Sequence, residues 1–440
     1  MSSAQWNDVS AALIVTVEQA IQQVDDELRT ASLSIHAHPE LCWNEHHAHD
    51  VLTALMEKHG FNVERHAYGL QTAWKATYEV GKGERTIGFN SEMDALSGIG
   101  HACGHNLIAI SGCAAAIGVA SALRQHRIPG KVVLLGTPAE EGGGGKVKLL
   151  DAGAYDGMSA CLMVHPGTGG HGSGSATSTA IVGFDVTYHG KGAHAGGAPE
   201  KGVNALDAAV SAYVNLSVLR QQVPGTHRIQ GVIAGSENWS ANVIPSEARL
   251  KYGVRTPTAR ELMEVVPRVI NCFKAGALSS GCSYEISVNH VSLDLQPCTT
   301  MEAFYQEHCK SRWGAEGYLS PGRSATSAST DFGDVTYRLP GLHPMFLLPN
   351  ALGGEYPHSG SYAGVAKGPE AHQAALKAAS AIAVVGARVI VDDGFASDTT
   401  SAWRKQMDDI QAEETRQNIE QLLKPFQFGN ACKVTGEVPL

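Results

Sequence analysis

The chain has 440 residues, of which 43% are hydrophobic and 17% charged, which is enough apolar material for a large core and too few charges for a disordered chain. Its net charge of −10 argues against binding to a nucleic-acid backbone, because such binding depends on a basic surface. Nine cysteines, an odd number scattered along a long chain, indicate reduced thiols and not a disulfide framework.

An amphipathic helix is the first predicted element, within residues 1–30. Its apolar stretch is interrupted by Glu18, Gln22 and Gln23, and no basic segment precedes it, so it does not resemble a signal peptide. No uncharged apolar run is expected to reach the ~18 residues that a membrane span needs. These features predict a cytoplasmic protein with neither a membrane nor a nucleic acid as partner.

Short apolar strands and longer helices alternate over the first part of the chain. The predicted elements are strands at 86–90, 131–138 and 161–165 and a helix at 109–125. This order is typical of an α/β fold, a mostly parallel sheet with helices on both faces. The glycine-rich stretch 167–180 then ends the pattern and is interpreted as a hinge. Residues 1–180 are therefore assigned to the first part of an α/β domain.

A second pattern of four strands and two helices follows. The strands are predicted at 184–190, 228–234, 248–255 and 283–291, and the helices at 204–222 and 259–277. Such a set closes as a small α+β domain, so residues 181–295 are interpreted as an insertion. The α/β pattern resumes over residues 296–395, and residues 396–440 hold a C-terminal tail with a polar helix at 403–423.

Four fragments combine His, Cys and acidic residues. They are EMD (92–94), HACGH (101–105), EE (140–141) and MVHPG (163–167). Each fragment ends or follows a predicted strand. Because ligands of open α/β sheets bind outside the carboxyl ends of the strands, we expect the four fragments to meet at one edge of the sheet.

Cys103 and His105 lie in one compact loop, where a thiolate and an imidazole can bind the same ion. Mixed sulfur and nitrogen ligands favour zinc. Two alternatives stay open from these residues alone: a buried thiol beside a structural histidine, and a Cys103 nucleophile paired with His105. The nucleophile is the weaker alternative, because it gives the paired acids no task.

Glu140 and Glu141 are adjacent at the end of a predicted strand, so their side chains point in different directions. One carboxylate can bind a metal while the other moves a proton in metal-assisted hydrolysis; an exposed acidic pair is the alternative. The glycines and Lys146 that follow lack the spacing of a phosphate-binding loop. His165 also lies at a strand end. A single histidine there is more often structural, so it is a candidate ligand only in combination with these residues.

Together with HPELCWNE (38–45), HACGHN (101–106) and GTPAEEGGGGK (136–146), these fragments resemble the aminoacylase and carboxypeptidase family of dinuclear zinc hydrolases. The likeness is greatest to the Cys-containing amidohydrolase branch, which includes hippurate, auxin-conjugate and β-alanyl-lysine hydrolases. It implies a zinc-exopeptidase-like catalytic domain with an inserted lid domain through which two copies form a homodimer. It also implies a metal-dependent amidohydrolase or dipeptidase acting on N-acyl amino acids or dipeptides. A biosynthetic amide-forming enzyme and a non-catalytic metal-binding relative are the alternatives.

The resemblance implies a centre of two divalent ions, with Zn²⁺ preferred over Mn²⁺ or Co²⁺. The residues that match the family's ligands are Cys103, His105, Glu141, His165 and His358. For the last ligand, His358 in EYPHSGSY fits the family's position better than His343 does. Cys103 would lie near both ions.

The resemblance implies catalytic residues as well. Glu140 would be the catalytic base, and His194 and Asn242 of the lid would act on the reacting carbonyl, often across the dimer. Two positions depart from the family's pattern, since Glu92 and Asn106 stand where this branch usually has Asp. We expect these departures to alter the affinity for the metal or its identity.

Overall fold

The computed structural model describes residues 3–175, 177–237, 239–314, 328–351, 353–426 and 434–436. These residues fall into two compact units. Unit 1 is drawn from Met1–Thr177, Gln296–Ala325 and Asp334–Asp409, and unit 2 from Ser178–Leu295, Thr326–Gly333 and Ile410–Leu440. Each unit is therefore built from segments that are distant in the sequence.

The helices and strands of the described residues follow one another in two halves. The first half contains α1 (Ser3–Gln23), α2 (Asp25–Ala37), α3 (His46–Lys58), β1 (Asn62–Arg65), β2 (Trp74–Val80), β3 (Thr86–Glu92), α4 (His105–His126), β4 (Gly130–Thr137), α5 (Gly145–Asp151), β5 (Ala160–Leu162), β6 (His165–Gly167), β7 (Ser173–Ser175) and β8 (Ala180–His189). The second half contains α6 (Ala205–Leu219), β9 (Arg228–Ala234), β10 (Glu247–Thr256), α7 (Ala259–Ser280), β11 (Ser283–Ser292), α8 (Thr299–Trp313), α9 (Phe332–Thr336), β12 (Gly341–Leu342), β13 (Pro344–Leu347), α10 (Gly360–Ala366), α11 (Pro369–Val391), α12 (Asp393–Asp409), α13 (Ala412–Leu423) and β14 (Val434–Gly436).

Unit 1 is built on a six-stranded sheet with the order β1-β2-β4-β3-β5-β12. β3 runs parallel to β4 and β5, and β5 runs parallel to β12, whereas β1 and β2 join antiparallel at one edge. Residues 132–135 of β4 form a continuous buried apolar run, as is typical of an interior strand of a parallel sheet. The arrangement confirms the α/β fold class predicted from the sequence.

Side chains of β3 alternate between the two faces of this sheet. Ile87 and Phe89 face α11 and pack closely on its Gly386. A Cβ added at Gly386 would lie only 2.9 Å from the Ile87 side chain. Glu92 points to the opposite face and contacts Lys146 of α5. Helices therefore cover both faces, as the alternating pattern of strands and helices predicts.

A second sheet of unit 1 has three strands in the order β6-β13-β7. β13 runs parallel to β6 and antiparallel to β7. Strand β7 comes from the glycine-rich stretch 167–180, which we expected to be a hinge. Part of that stretch is therefore regular structure, because Ser173 and Gly174 pair with Phe346 and Met345.

Helices α4 and α11 pack against each other and against β3. Each contains an 18-residue window that is apolar enough to cross a membrane, but 94% of this window in α4 and 83% in α11 is buried inside the protein. The expectation that no run reaches this length was therefore wrong. Both are core helices, and their apolar side chains pack on the sheet and on each other.

Unit 2 contains an antiparallel sheet with the order β14-β11-β8-β10-β9. Helices α6 and α7 pack against each other and against β8 and β10. The Asn204 and Thr258 side chains accept hydrogen bonds from the first turns of α6 and α7, which fixes where these helices begin. The four strands and two helices of the predicted α+β set are present. The strand β14 is an addition that the sequence did not predict.

The polar helix predicted at 403–423 is two helices in the structure. α12 ends at Asp409 and α13 begins at Ala412. Between them Gln411 has a φ of 51°, which lies in the left-handed region and interrupts the helical hydrogen bonds. α12 belongs to unit 1 and α13 to unit 2. The prediction was therefore correct in type and wrong in continuity.

Candidate metal centre

The candidate site lies in unit 1 at the carboxyl ends of parallel strands. β3 ends at Glu92, β4 at Thr137 and β5 at Leu162, and these strands are neighbours in the sheet. The segments that follow them start from one edge, which is where open α/β sheets bind ligands. The loop before α4, which contains Cys103, lies at the same edge. Its Cys103 Sγ is 3.5 Å from Nε2 of His165, which follows β5 in the chain.

A thiol and two imidazoles come together at this edge. Cys103, His105 and His165 each present one donor atom, and the three atoms lie within 4.8 Å of one another. Gly104 has a φ of 81°, and a Cβ there would lie 2.6 Å from Pro166. The close approach of the two segments therefore requires glycine at this position.

A second group of donor atoms shares the same thiol. Cys103, Glu141 and His358 also present donor atoms within 4.8 Å of one another. Glu141 Oε2 is 3.5 Å from His358 Nε2, and Glu141 Oε1 is 3.7 Å from His105 Nε2. Cys103 thus lies between two overlapping clusters, an arrangement that suits a pair of ions.

The two candidates for the last histidine occupy different places. The His358 side chain is 55% exposed, and its backbone N–H donates to Ala102 O at 2.8 Å. His343 is buried, and its ring stacks on that of His165 with a centroid separation of 5.8 Å. Of the two, His358 alone belongs to a group of donor atoms among the described residues, so it stays the preferred ligand.

Hydrogen bonds determine which nitrogen of each buried imidazole faces the cluster. His105 Nδ1 donates to Asp94 Oδ1 at 3.1 Å, and His165 Nδ1 donates to Pro166 O at 2.8 Å. In each neutral ring the lone pair is then on Nε2, which is the nitrogen that faces the other donor atoms. Burial lowers the pKa of His165 to about 3, which keeps this ring neutral and able to bind a cation.

Asp94 is a buried carboxylate that organises the site. Besides contacting His105, it accepts the Glu141 N–H at 2.9 Å and the Cys42 thiol at 3.3 Å. Burial alone would raise the pKa of Asp94, but these hydrogen bonds, that of His105 foremost, lower it to about 2. Its place in EMDAL was visible in the sequence, but its partners were not, so sequence reasoning gave it no role.

Glu45, in the fragment HPELCWNE, supports the loop that carries the paired glutamates. Its Oε1 accepts the N–H of Trp43 at 3.0 Å and of Ala139 at 2.8 Å, and its Oε2 accepts the Thr72 hydroxyl at 2.7 Å. Ala139 has a φ of 57°, which is costly for a residue with a Cβ. The bond from Glu45 holds this backbone in place immediately before Glu140.

His194 and Asn242 belong to unit 2, where both side chains are exposed. Asn242 Nδ2 is 3.5 Å from His194 Nε2. His194 Nδ1 accepts the N–H of Gly196 at 3.2 Å and of Gly197 at 2.9 Å. The proton of the neutral ring is then on Nε2, so His194 Nε2 and Asn242 Nδ2 both offer hydrogen-bond donors at this place.

Asn106, one of the two departures from the family's pattern, has an interior role. Its buried amide donates to Ser32 Oγ at 2.9 Å and to Ala366 O at 3.2 Å. A carboxylate could donate neither bond, which accounts for Asn at this position. An effect of Asn106 on metal affinity stays a prediction.

The donor set fits a divalent transition metal. His105 Nε2 and Glu141 Oε1 are buried, and neither has a hydrogen-bond partner among the described residues. Buried acceptors of this kind are costly unless a proton or a cation satisfies them. A thiol, imidazoles and a carboxylate at one place are typical of a zinc site and unlike the all-oxygen sites of Mg²⁺ or Ca²⁺.

Comparisons with known proteins agree with this chemistry. Residues 177–279 match the model of a peptidase dimerisation domain. The Xaa-Arg dipeptidase of Homo sapiens is 39% identical over 393 residues, which cover 84% of this chain and 87% of that protein. A p-aminobenzoyl-glutamate hydrolase chain of Escherichia coli is 28% identical over 66% of this chain and 63% of its own.

Two solved structures share the fold. An aminobenzoyl-glutamate utilization protein from Klebsiella pneumoniae has a TM-score of 0.62 at 22% identity, and covers 82% of this chain and 98% of its own. A dinuclear metal-binding peptidase of the M20 family from Bacillus subtilis has a TM-score of 0.58 at 21% identity, and covers 84% of this chain and 99% of its own. Identities this low show the fold alone.

An α/β sheet with candidate metal-donor side chains at its carboxyl edge, accompanied by an α+β unit, is the organisation of a two-unit metallohydrolase. The identity with the human dipeptidase over most of both chains shows that this chain belongs to the M20 peptidase family. The resemblance inferred from the motifs is thereby confirmed. The protein is an enzyme that hydrolyses amide bonds.

Proposed function

We propose that this enzyme is a metal-dependent dipeptidase that cleaves dipeptides with a basic C-terminal residue. The observation that carries the proposal is the convergence of the donor atoms of Cys103, His105, Glu141, His165 and His358 at one sheet edge. The preference for a basic residue rests on the similarity to the Xaa-Arg dipeptidases of Homo sapiens and Mus musculus, each 39% identical. Other N-acyl amino acids are the wider substrate class.

The five donor residues would hold two divalent ions, with Zn²⁺ the preferred metal. Such ions polarise an amide carbonyl and make hydroxide available near neutral pH. The protein's part is to present donors that are already in place: Asp94 and Pro166 orient the two buried imidazoles, and this second layer commonly strengthens metal binding.

Glu140 is the proposed base. Its side chain is 9% exposed, and its Oε2 is 3.9 Å from His105 Nε2. It therefore lies beside the donor atoms, but it belongs to neither of the two clusters that share Cys103. From this position its carboxylate can take the proton of the attacking water and deliver it to the leaving amine. The adjacent Glu141 faces His358 and is proposed as a ligand.

His194 and Asn242 are the proposed donors to the reacting carbonyl. The Nε2–H of His194 is exposed, and the Asn242 amide lies beside it. Donors aimed at the oxygen where negative charge develops are each worth roughly 3 kcal/mol in a hydrolytic reaction. Loss of His194 is therefore expected to lower turnover and to leave metal binding intact.

The function is tested by release of free amine from a panel of substrates. The panel contains Xaa-Arg, Xaa-Lys and Xaa-Glu dipeptides, p-aminobenzoyl-glutamate and an indole-acetyl amino acid, each with metal-replete and chelated enzyme. We expect the highest kcat/KM on dipeptides that end in Arg or Lys, and loss of activity after chelation. Activity on the acidic substrates alone would contradict the proposed specificity.

We propose further that the enzyme is a homodimer through unit 2. Strand β9 is an edge of the unit 2 sheet, and its Val232 is 58% exposed. On α6, which packs near β9, Val210, Val214 and Val218 are also exposed and recur at every fourth residue along one face. An open strand edge beside an apolar stripe is typical of an association surface.

Sedimentation velocity of paired variants tests the dimer. Val214→Asp combined with Val218→Asp places two charges in the stripe and should shift the protein to a monomer. Leu33→Asp is the control, because Leu33 of α2 is similarly exposed, at 40%, but belongs to unit 1. A dimer that survives the double substitution would contradict the proposed surface.

A reducing compartment is also proposed. Eight cysteines are free among the described residues. Five of them are buried in unit 1, namely Cys103, Cys113, Cys161, Cys298 and Cys309. Such thiols persist in the cytoplasm, where disulfides are rare. Fractionation of cells that express the native chain, followed by immunodetection, tests this location.

A further inference from the structure

We propose that Glu92 is an additional ligand of the metal centre and that Lys146 positions it by binding the other oxygen of the carboxylate. Glu92 is the last residue of β3 and is fully buried. The inference rests on the metal centre of the proposed function and extends it by one ligand and one positioning residue.

The geometry of the carboxylate carries the inference. Glu92 Oε2 is 3.4 Å from His105 Nε2, and the donor atoms of Glu92, His105 and Glu140 lie within 4.8 Å of one another. Ligand atoms that share one zinc ion, each with a bond of about 2.0–2.3 Å, are separated by roughly 3–4 Å. The spacing of Glu92 and His105 is therefore that of two ligands of one ion.

Both atoms also need a positive charge between them, which a proton or a metal ion can supply. Among the described residues neither Glu92 Oε2 nor His105 Nε2 has a hydrogen-bond partner. His105 Nδ1 donates to Asp94, so in the neutral ring Nε2 is an acceptor. A buried carboxylate oxygen and a buried lone pair then face each other, an arrangement that is unfavourable until a positive charge lies between them.

Lys146 explains why a single oxygen of Glu92 faces the centre. Its Nζ is 2.6 Å from Glu92 Oε1, and both side chains are fully buried. A buried carboxylate is tolerated when it is paired and hydrogen-bonded, and the ammonium group supplies that pair from α5. Because Lys146 binds Oε1, the carboxylate is fixed in the rotation that leaves Oε2 directed at His105.

The identity of residue 92 fits this role. The Cys-containing branch that the sequence resembles usually has Asp at this position, whereas this chain has Glu. The additional methylene extends the carboxylate by somewhat more than 1 Å, a distance comparable to half of a metal–oxygen bond. Glu92→Asp therefore preserves the charge while it withdraws the proposed ligand atom.

The competing interpretation is an internal ion pair that only fastens α5 to β3. In that case removal of the Glu92 charge would lower stability and leave the metal affinity unchanged. The two interpretations are separated by a measurement of metal binding on folded protein, which does not depend on activity.

The experiment compares the metal-stripped full chain with Glu92→Gln, Glu92→Asp and the control Glu79→Gln, which alters an exposed glutamate of β2. Each protein is titrated with Zn²⁺ against a chromophoric chelator and with Co²⁺ while its visible absorption is recorded. Circular dichroism establishes that each variant is folded, and Glu92→Asp decides the outcome if Glu92→Gln does not fold.

We expect Glu92→Gln to weaken one of the two binding events at least ~10–100-fold, to change the Co²⁺ spectrum and to leave the second event intact. Glu92→Asp should show a smaller loss, and Glu79→Gln none. Wild-type affinities and an unchanged Co²⁺ spectrum in both Glu92 variants would overturn the inference while the proposed function stands. Absence of metal binding by the wild-type chain would instead overturn both.

Discussion

His105 illustrates how single residues prepare this site. One ring nitrogen is bound to Asp94, and the other faces Glu92 and Glu141. His165 is held in the same manner through Pro166 O. Fixing one nitrogen of each ring selects the tautomer and the ring orientation before any ligand arrives. The chain therefore presents donors that need little rearrangement to bind a cation.

Replacement of Glu140 separates catalysis from metal binding. Glu140→Gln keeps the size of the side chain, but an amide cannot accept and deliver the proton. We expect kcat to fall by roughly 10²–10⁴ while the metal content per chain is unchanged. The measurement is amine release on the best dipeptide together with elemental analysis of the same sample; turnover near that of the wild type would refute the base assignment.

The candidate donor residues could be proposed from the sequence, but the residues that orient them could not. Cys103, His105 and Glu141 could be found because they lie in short motifs of unusual composition. The contacts of Asp94 and Glu92 could not, since they join residues 11 to 54 positions apart. Spacing along the chain carries no information on such pairs until the strands that bring them together are known.

At the scale of elements, strand β11 contains a buried histidine whose titration contributes to the pH dependence of stability. His290 follows an irregularity in the pairing of β11 with β8. Burial lowers its pKa to about 4, and the charge of Arg255 on β10 acts in the same direction. Ser292 Oγ is 3.1 Å from its Nε2. The native protein therefore holds this imidazole neutral where the unfolded chain would protonate it.

The consequence is a loss of stability in mild acid. Between pH 6.5 and about 4 the unfolded chain binds a proton at His290 that the folded chain does not, so the free energy of unfolding falls as the pH falls. The difference amounts to about 3 kcal/mol at most. His290→Gln should flatten the pH dependence of urea unfolding in this window relative to the wild type. Parallel curves for the two proteins would contradict the assignment.

Elements with strong periodicity were predicted well, and elements defined by distant pairing were not. The core helix α4 follows from the apolar stretch at 109–125, and the four strands of unit 2 follow from alternation. The short strands β7 and β14 depend on their partners β13 and β11, which local sequence does not reveal. The break at Gln411 could not be predicted, because no glycine or proline marks it in the sequence.

At the scale of the whole molecule, the resemblance implies that His194 acts on the active site of the other copy. Mixing Glu140→Gln dimers with His194→Ala dimers, after exchange of protomers, tests this. If His194 acts across the dimer, each mixed dimer regains one complete site, and random exchange restores about a quarter of the wild-type activity. If His194 acts within its own chain, the mixture stays as inactive as its two components.

The two-unit organisation was predicted from the change in pattern near residue 181, and residues 177–279 match a peptidase dimerisation domain. The assignment of the last segment was not foreseen, because α13 and β14 belong to unit 2 although they follow the helices of unit 1. The pattern of residues distinguishes an α/β unit from an α+β unit. It does not show which of the two units a C-terminal segment belongs to.

The metal content of active enzyme decides whether the donor cluster is a working metal centre. Purified protein is analysed for transition metals, stripped with a chelator, assayed, and assayed again after Zn²⁺, Mn²⁺ or Co²⁺ is returned. We predict about two divalent ions per chain, loss of amide hydrolysis on stripping, and its recovery on readdition. Full activity in protein that contains no stoichiometric metal would contradict it.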